Sequence, residues 1–309
     1  MTDRRIVVTG QGSTTAAYTG VDWLVLVTTS LIWGASFLLI AEGLESLDPR
    51  VIAWTRLILG AGVLALFARA RRRIEPGDRA QIVVVGLASA GLPAILFAVA
   101  EESVSSAVAG MLVSATPIAT VVLAVVLTRS WPRGPQRWGL MIGFIGVVLM
   151  ALPNLSGTNA APLGIALVII AVFSYGLGNN MYPPLQQKYG AMAVMMWAQT
   201  AAALLMTPLG LTGLSSSEWE LQPVVAVVVL GIFGTGFARA IHVALVGRVG
   251  PSRGAIAGYT IPVIALLLGV LVRDETVAPI QVIAVGIAVA GAWLVSRREA
   301  GSQPSDAPS

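Results

Sequence analysis

Long apolar runs separated by short polar breaks organise this chain. Ten runs stand out, at 22–41, 49–68, 80–99, 104–128, 136–153, 162–181, 191–211, 223–245, 252–272 and 279–296. A helix rises 1.5 Å per residue, so about 20 apolar residues cross a hydrocarbon core of about 30 Å. The runs are continuous and do not alternate at every second residue. That predicts helices and excludes the strands of a membrane barrel. Turn residues punctuate the breaks: Asp48-Pro49, Glu75-Pro76-Gly77, Trp131-Pro132, Gly250-Pro251 and Ala278-Pro279. The apolar character lapses least between runs 3 and 4 and between runs 8 and 9. Residues 1–21 are too polar for a signal peptide's apolar region, so the first run reads as an uncleaved anchor. Residues 298–309 read as a disordered tail.

Composition agrees with the pattern. The 309 residues are 56% hydrophobic and 11% charged, against roughly 25% charged in soluble domains. The expected class is therefore an all-α integral membrane protein. Gly 33 and Pro 17 suit membrane helices, and the absence of Cys excludes disulfides and thiol chemistry. A net charge of +4 would suggest nucleic acid in a soluble protein, but the position of the bases decides otherwise. With the N-terminus placed in the cytoplasm, 15 of the 19 Lys and Arg residues fall on inner loops and tails: Arg4, Arg5, Arg69, Arg71, Arg72, Arg73, Arg79, Arg129, Arg133, Arg137, Lys188, Arg248, Arg253, Arg297 and Arg298. Only Arg50 and Arg273 fall outside. The positive-inside rule then predicts ten spans in the plasma (inner) membrane with both termini cytoplasmic. The basic loops are expected against anionic lipid, with no nucleic-acid partner.

The second half echoes the first. Ile32-Trp33-Gly34 matches Ser174-Tyr175-Gly176, and Trp54-Thr55-Arg56 matches Trp197-Ala198-Gln199. Gly86 and Gly91 match Gly231 and Gly236, and Pro117 matches Pro262. Gly139-xxx-Gly143 matches Ala284-xxx-Ala288. The offsets drift only from 142 to 145. Five runs per copy is an odd number, so the copies enter the membrane from opposite sides, as in secondary transporters. The expected organisation is a tail at 1–21, repeats at 22–153 and 162–297, and an outer linker at 154–161. The small-xxx-small pairs of runs 5 and 10 suit a static scaffold or a homodimer face.

The chain also resembles the EamA-type families of the drug/metabolite transporter superfamily. The resemblance covers about 22–298. It rests on Leu31-Ile32-Trp33-Gly34-Ala35-Ser36-Phe37, Asp48-Pro49 and Trp54-Thr55-Arg56 in the first half. In the second half it rests on Leu230-Gly231-Ile232-Phe233-Gly234-Thr235-Gly236, Gly250-Pro251-Ser252-Arg253-Gly254-Ala255, Tyr259-Thr260-Ile261-Pro262 and the acid Glu275. It implies a ten-helix carrier, often an exporter of amino acids or other small metabolites. Run 4 departs from the family pattern: Ser130 stands where an acid would mirror Glu275.

Few residues carry chemistry. Arg56 lies about seven residues into run 2, where a charge costs roughly 2.5–3.5 kcal/mol on insertion scales. It reads as an anchor for a substrate carboxylate or phosphate, or as a structural partner of Glu42, Glu45 or Asp48. Arg239 and His242, three apart on one helix face, read as a substrate cation and a proton carrier. The alternatives are an Arg239 that snorkels to the inner surface and a satisfied helix histidine. Trp33, Trp54, Tyr175, Trp197 and Tyr259 offer aromatic walls or core packing. Ser36, Asn179 and Gln199 offer hydrogen bonds to substrate, and amides equally serve as interhelical glue. Pro117 and Pro262 read as paired kinks that gate runs 4 and 9, or as static bends. Glu101 and Glu102 read as solvated loop acids, leaving no acid deep in any run. No Walker A or H-E-x-x-H motif is present, and one His builds no two-His metal site. The expectation is a carrier of a small-molecule substrate, without cofactor, metal or enzymatic activity. The rivals are a membrane-embedded lipid-modifying enzyme, which lacks clustered acids, His or Cys, and a non-transporting receptor, which would need no repeat.

Overall fold

The computed structural model describes residues 18–129, 135–155, 161–255 and 257–296. Most of the two tails, Ser130 and most of the linker expected at 154–161 lie outside them, as does the side chain of Tyr259. Every described regular element is a helix. In chain order they are α1 (Gly20–Gly43), α2 (Pro49–Ala65), α3 (Arg79–Gly86), α4 (Leu92–Ala100), α5 (Ser106–Leu112), α6 (Thr116–Thr128) and α7 (Pro135–Leu155). The second half adds α8 (Ala161–Tyr189), α9 (Ala191–Thr212), α10 (Leu221–Val229), α11 (Ala238–Val249), α12 (Pro251–Gly254), α13 (Ala257–Arg273) and α14 (Pro279–Ser296).

All ten apolar runs are helical, but they differ in length. Among the described residues, six segments are long and apolar enough to cross a membrane: Gly20–Gly43, Pro76–Ala100, Ser106–Thr128, Pro162–Tyr189, Ala191–Thr212 and Leu221–Val249. Three more are shorter, at Arg137–Met150, Thr260–Arg273 and Pro279–Gly291, and α2 has 17 residues. The sixth run continues past its expected end at 181 to Tyr189. There Lys188 meets Glu75 and Asp78, and the Tyr189 hydroxyl donates to Asp78.

Local chemistry explains the ends. Thr19 caps α1 in a reciprocal box with Asp22. Asp48 caps α2 ahead of Pro49 at its first turn. Ser105 caps α5 by accepting from the Val108 N–H, which sharpens the faint boundary between runs 3 and 4. Gly250 marks the boundary between runs 8 and 9 at φ +89°, a conformation that needs glycine.

The two halves repeat their irregularities. A π segment follows α3 at Leu87–Gly91, and another follows α10 at Leu230–Phe237. Arg129 after α6 and Asp274 after α13, 145 residues apart, are the two non-glycine residues with positive φ among the described residues. A 3-10 turn at Val113–Ala115 precedes Pro117 in the first half, whereas the equivalent stretch before Pro262 is α-helical.

Helix α1 packs against α10, α11 and α13, α2 against α9 and the second π segment, and α8 against α4 and α6. The packed pair of α7 and α14 lies at the edge. There a Cβ on Gly146 would stand 2.7 Å from the Ala288 nitrogen, so the backbones touch. In lipid, where apolar burial drives no helix pairing, such close packing is what holds two helices together. Their outer faces show Trp138, Phe144, Ile145, Ile283 and Trp293.

Candidate functional site

The repeat equivalents converge on one central cavity. Trp33 and Tyr175 line it, as do Phe37 and Asn179, Phe97 and His242, Val113 and Gly258, and Thr116 and Ile261. Ser36, Arg56 and Arg239 complete its polar surface. About 50 Å³ is open to water-sized molecules. That holds a few waters, whereas metabolite sites run to about 300 Å³ or more, so a substrate must widen it.

The irregular helices supply the cavity with its partners. The second π segment carries Gly234, whose carbonyl accepts from the Trp33 indole at 2.9 Å. The same segment carries Thr235. Its hydroxyl accepts from Arg56 Nε at 2.8 Å, and its carbonyl accepts from Gln199 Nε2 at 2.6 Å. Arg56 and Gln199, equivalent in the repeat, thus meet on one residue. Gln199 is fully buried there and does not line the cavity.

Both buried arginines lack a carboxylate. Arg56 is 5% exposed and Arg239 is 4% exposed, yet neither has an ion-pair partner among the described residues. The rim acids offered as alternative partners of Arg56 are engaged elsewhere: Glu42 and Glu45 with Arg273, Asp48 with Arg50. Arg239 does not snorkel. Its guanidinium lies 5.2 Å from the Trp33 ring centre and 4.8 Å from that of Tyr175, and it donates to the Tyr175 hydroxyl at 3.2 Å. Aromatic faces stabilise a desolvated cation by about 2 kcal/mol or more.

His242 faces Trp33 at 4.8 Å between ring centres. Its Nε2 lies 3.3 Å from Asn179 Oδ1, while Asn179 Nδ2 donates to Thr120. That chain selects the Nε2–H tautomer and leaves Nδ1 buried without a partner.

Other candidates lie elsewhere. Trp54 packs on Gly210 and donates to Thr207, holding α2 to α9. Trp197 is 37% exposed and donates to the Arg72 carbonyl. Each tryptophan finds its indole partner on a neighbouring helix or loop, away from the cavity. Pro117 begins α6 at its first turn, where a proline N–H is not needed, while Pro262 stands inside α13. Pattern reading missed Phe37, Phe97 and Thr235. The repeat could have supplied Phe97, the counterpart of His242.

The rims differ in charge. At one end, an open hollow carries Glu45, Asp48, Glu101, Glu102, Glu218 and Glu275 with Arg273. Glu275 accepts from the Ser106 and Ala107 N–H groups and the Ser106 hydroxyl, so it caps α5. Arg50 hydrogen-bonds to Asp48 and holds its carboxyl down at about 2, against the opposing effect of partial burial. Glu101 is not a solvated acid: both its oxygens are buried and lack a hydrogen-bond partner. At the opposite end Asp22 meets Arg248, and the Tyr18 hydroxyl donates to the Arg253 carbonyl.

Comparison with known proteins agrees with this architecture. The profile of the EamA-like transporter family matches twice, at residues 22–152 and 162–297. A protein of Archaeoglobus fulgidus named an uncharacterized transporter is 25% identical over 276 residues, covering 89% of this chain and 99% of its own. Escherichia coli K12 has a relative named the uncharacterized inner membrane transporter YedA, 29% identical over 86% of this chain and 87% of its own. A protein of Salmonella typhimurium named a probable amino-acid metabolite efflux pump is 24% identical over 88% of this chain and 94% of its own. One crystal structure superposes with a TM-score of 0.68 at 18% identity, over 89% of this chain and 97% of its own, which marks a shared fold. Two profile matches that together span nearly the whole helical part place this chain in the EamA-like transporter family, and it is a multi-pass membrane transporter rather than an enzyme.

Proposed function

We propose that this transporter is a secondary carrier that exports small amphipathic metabolites, amino acids foremost, by alternating access through the central cavity. The observation that carries the reading is the pair of buried guanidiniums without counter-charge, set among aromatic walls. A buried cation without an anion is costly, and a substrate carboxylate relieves that cost. Arg56 is the better anchor. Only its Nε is held by protein, whereas Arg239 is enclosed by two rings. Trp33 and Tyr175 give the apolar part of the substrate its walls, and Ser36, Asn179 and His242 give hydrogen bonds. The efflux-pump relative supports amino acids as cargo, and the relative named an inner membrane transporter supports that location.

In this reading the chain crosses the membrane ten times, with inverted halves at 22–153 and 162–297 and both termini in the cytoplasm. The basic loops face anionic lipid. The cavity widens to one side at a time as α5–α6 and α12–α13 bend near Pro117 and Pro262. The paired small-residue faces of α7 and α14 are used on each other, which favours the scaffold role over a dimer face.

The test is export from liposomes loaded with a mixture of radiolabelled amino acids. The purified protein is expected to release a subset of them. Arg56→Ala is expected to lower release at least tenfold while the protein stays folded. A folded Arg56→Ala protein with unchanged release would remove the anchor, and no release of any amino acid by the wild type would overturn the reading.

A further inference from the structure

Glu101 follows directly on α4, just beyond the apolar segment Pro76–Ala100. Phe97, four residues earlier on the same helix face, lines the central cavity, while Glu101 lines the outer hollow. The acid therefore stands between the two spaces. Its two oxygens are buried and accept no hydrogen bond. The charged groups around it are Arg56 from α2, Arg273 and Glu275 at the end of α13, and Glu102 beside it. Glu45, Asp48 and Glu218 share the hollow, but Glu45 pairs with Arg273 and Asp48 with Arg50. Burial pushes the Glu101 carboxyl well above the usual carboxylate range; Arg56 opposes this, Glu275 adds to it and Arg273 opposes it. Removal of its oxygens from water favours the protonated form. Arg56 and Glu101 are close enough to feel each other's charge, yet they form no ion pair. Both lack an ion-pair partner among the described residues, and their ionised forms have opposite signs.

We propose that Glu101 is a proton-exchange site that receives the ammonium group of a zwitterionic amino acid whose carboxylate rests on Arg56. The inference rests on the transport reading above and names its substrate class and coupling. In the closed arrangement the carboxyl holds its proton. When an amino acid enters the widened cavity, the Glu101 O–H gives its proton to cytoplasmic water, and the resulting carboxylate accepts from the substrate N–H groups. When the substrate leaves outward, the carboxylate takes a proton from the outer hollow. One proton moves in for each amino acid that moves out. A 2-oxo acid offers the carboxylate without the ammonium, so it cannot displace the proton.

Two measurements test this on the full chain. In liposomes with an imposed gradient of one pH unit, wild-type protein is expected to accumulate amino acids up to about tenfold per coupled proton and to discriminate against the matching 2-oxo acids. Glu101→Gln is expected to lose both the gradient response and the discrimination, and Glu101→Asp, which keeps the carboxyl, to retain them. A Glu101→Gln protein that follows the gradient as the wild type does overturns the proposal and leaves the transporter reading intact. Infrared spectroscopy in lipid nanodiscs at neutral pH reads the proton without any substrate. The wild type is expected to show a protonated-carboxyl C=O band that Glu101→Gln lacks, and persistence of the full band in the folded variant overturns the proposal. If the wild type moves no amino acid, the transport reading fails first and this proposal with it, whatever the band shows.

Discussion

Thr235 concentrates the residue-scale design. It receives Arg56 through its hydroxyl and Gln199 through its carbonyl. Thr235→Val keeps the shape and strands the Arg56 Nε. A hydrogen bond to a charged group contributes about 1.5–3 kcal/mol, so the unfolding midpoint in detergent is expected to fall, and an unchanged midpoint would show that the bond has no net weight. Asp48 offers a pH test at the acidic rim. Its folded value of about 2 lies below its ordinary 3.8, so its stabilisation is complete above pH 3.8 and lost as pH falls through about 2. The stability gap between wild type and Asp48→Asn is expected to stay constant near neutrality and to shrink across that window. A gap that persists at the acid end would exclude ionisation as its source. Arg56, Arg239 and His242 were legible because a charged or titratable side chain is rare in an apolar run. Phe97 and Thr235 look ordinary in such a run, and only their contacts set them apart. Glu101 misled because sequence places it at a helix end without showing that the surrounding helices cover it.

At the scale of elements, the apolar pattern located the described α-helices, because lipid demands unbroken apolar length. It overstated uniformity. Helix α2 closes after 17 residues, and run 4 passes through a 3-10 turn just before its proline. The π segments have no distinct sequence sign, since one extra residue per turn changes neither composition nor periodicity enough to read. The small residues of runs 5 and 10 marked faces for close packing but left open whether they meet each other or a second copy, and the α7–α14 pair they form is sensitive to overpacking. A Cβ on Gly291 would collide with the backbone at Gly143 and Gly139. Gly291→Leu is therefore expected to cost about 1–3 kcal/mol or more, seen as a lower unfolding midpoint. The same change at Gly286, which has open space around it, is expected to be nearly silent. Equal effects at the two glycines would show that close packing is not what holds the pair.

Across the whole molecule, charge sorts to opposite ends. Arg69, Arg71, Arg72, Arg73 and Lys188 mark one rim, and Glu102, Glu218, Glu220 and Glu275 mark the other. The chain has no native cysteine, so single cysteines report sidedness cleanly. In intact cells, Glu220→Cys is expected to react with a membrane-impermeant maleimide and Arg71→Cys only after permeabilisation. Reaction of both before permeabilisation would refute the proposed topology. The helices, their order and the repeat were open to reading from the chain alone. Which wall of each helix faces the cavity was not, because a buried apolar face and a lipid-facing one use the same residues.

The π segment at Leu230–Phe237 bears on that last point. A helix turns by about 100° per residue, so each wider turn resets the angular phase of all that follows. Arg239 and His242 lie immediately downstream and take their bearing from it. The first half has the same phase shift ahead of Phe97. Deleting one residue from the second segment would swing the guanidinium a quarter-turn or more out of the gap between Trp33 and Tyr175, with no cavity-lining side chain replaced. The wide turn thus acts as a clocking device, and the shape of the cavity depends on phase as much as on side-chain identity.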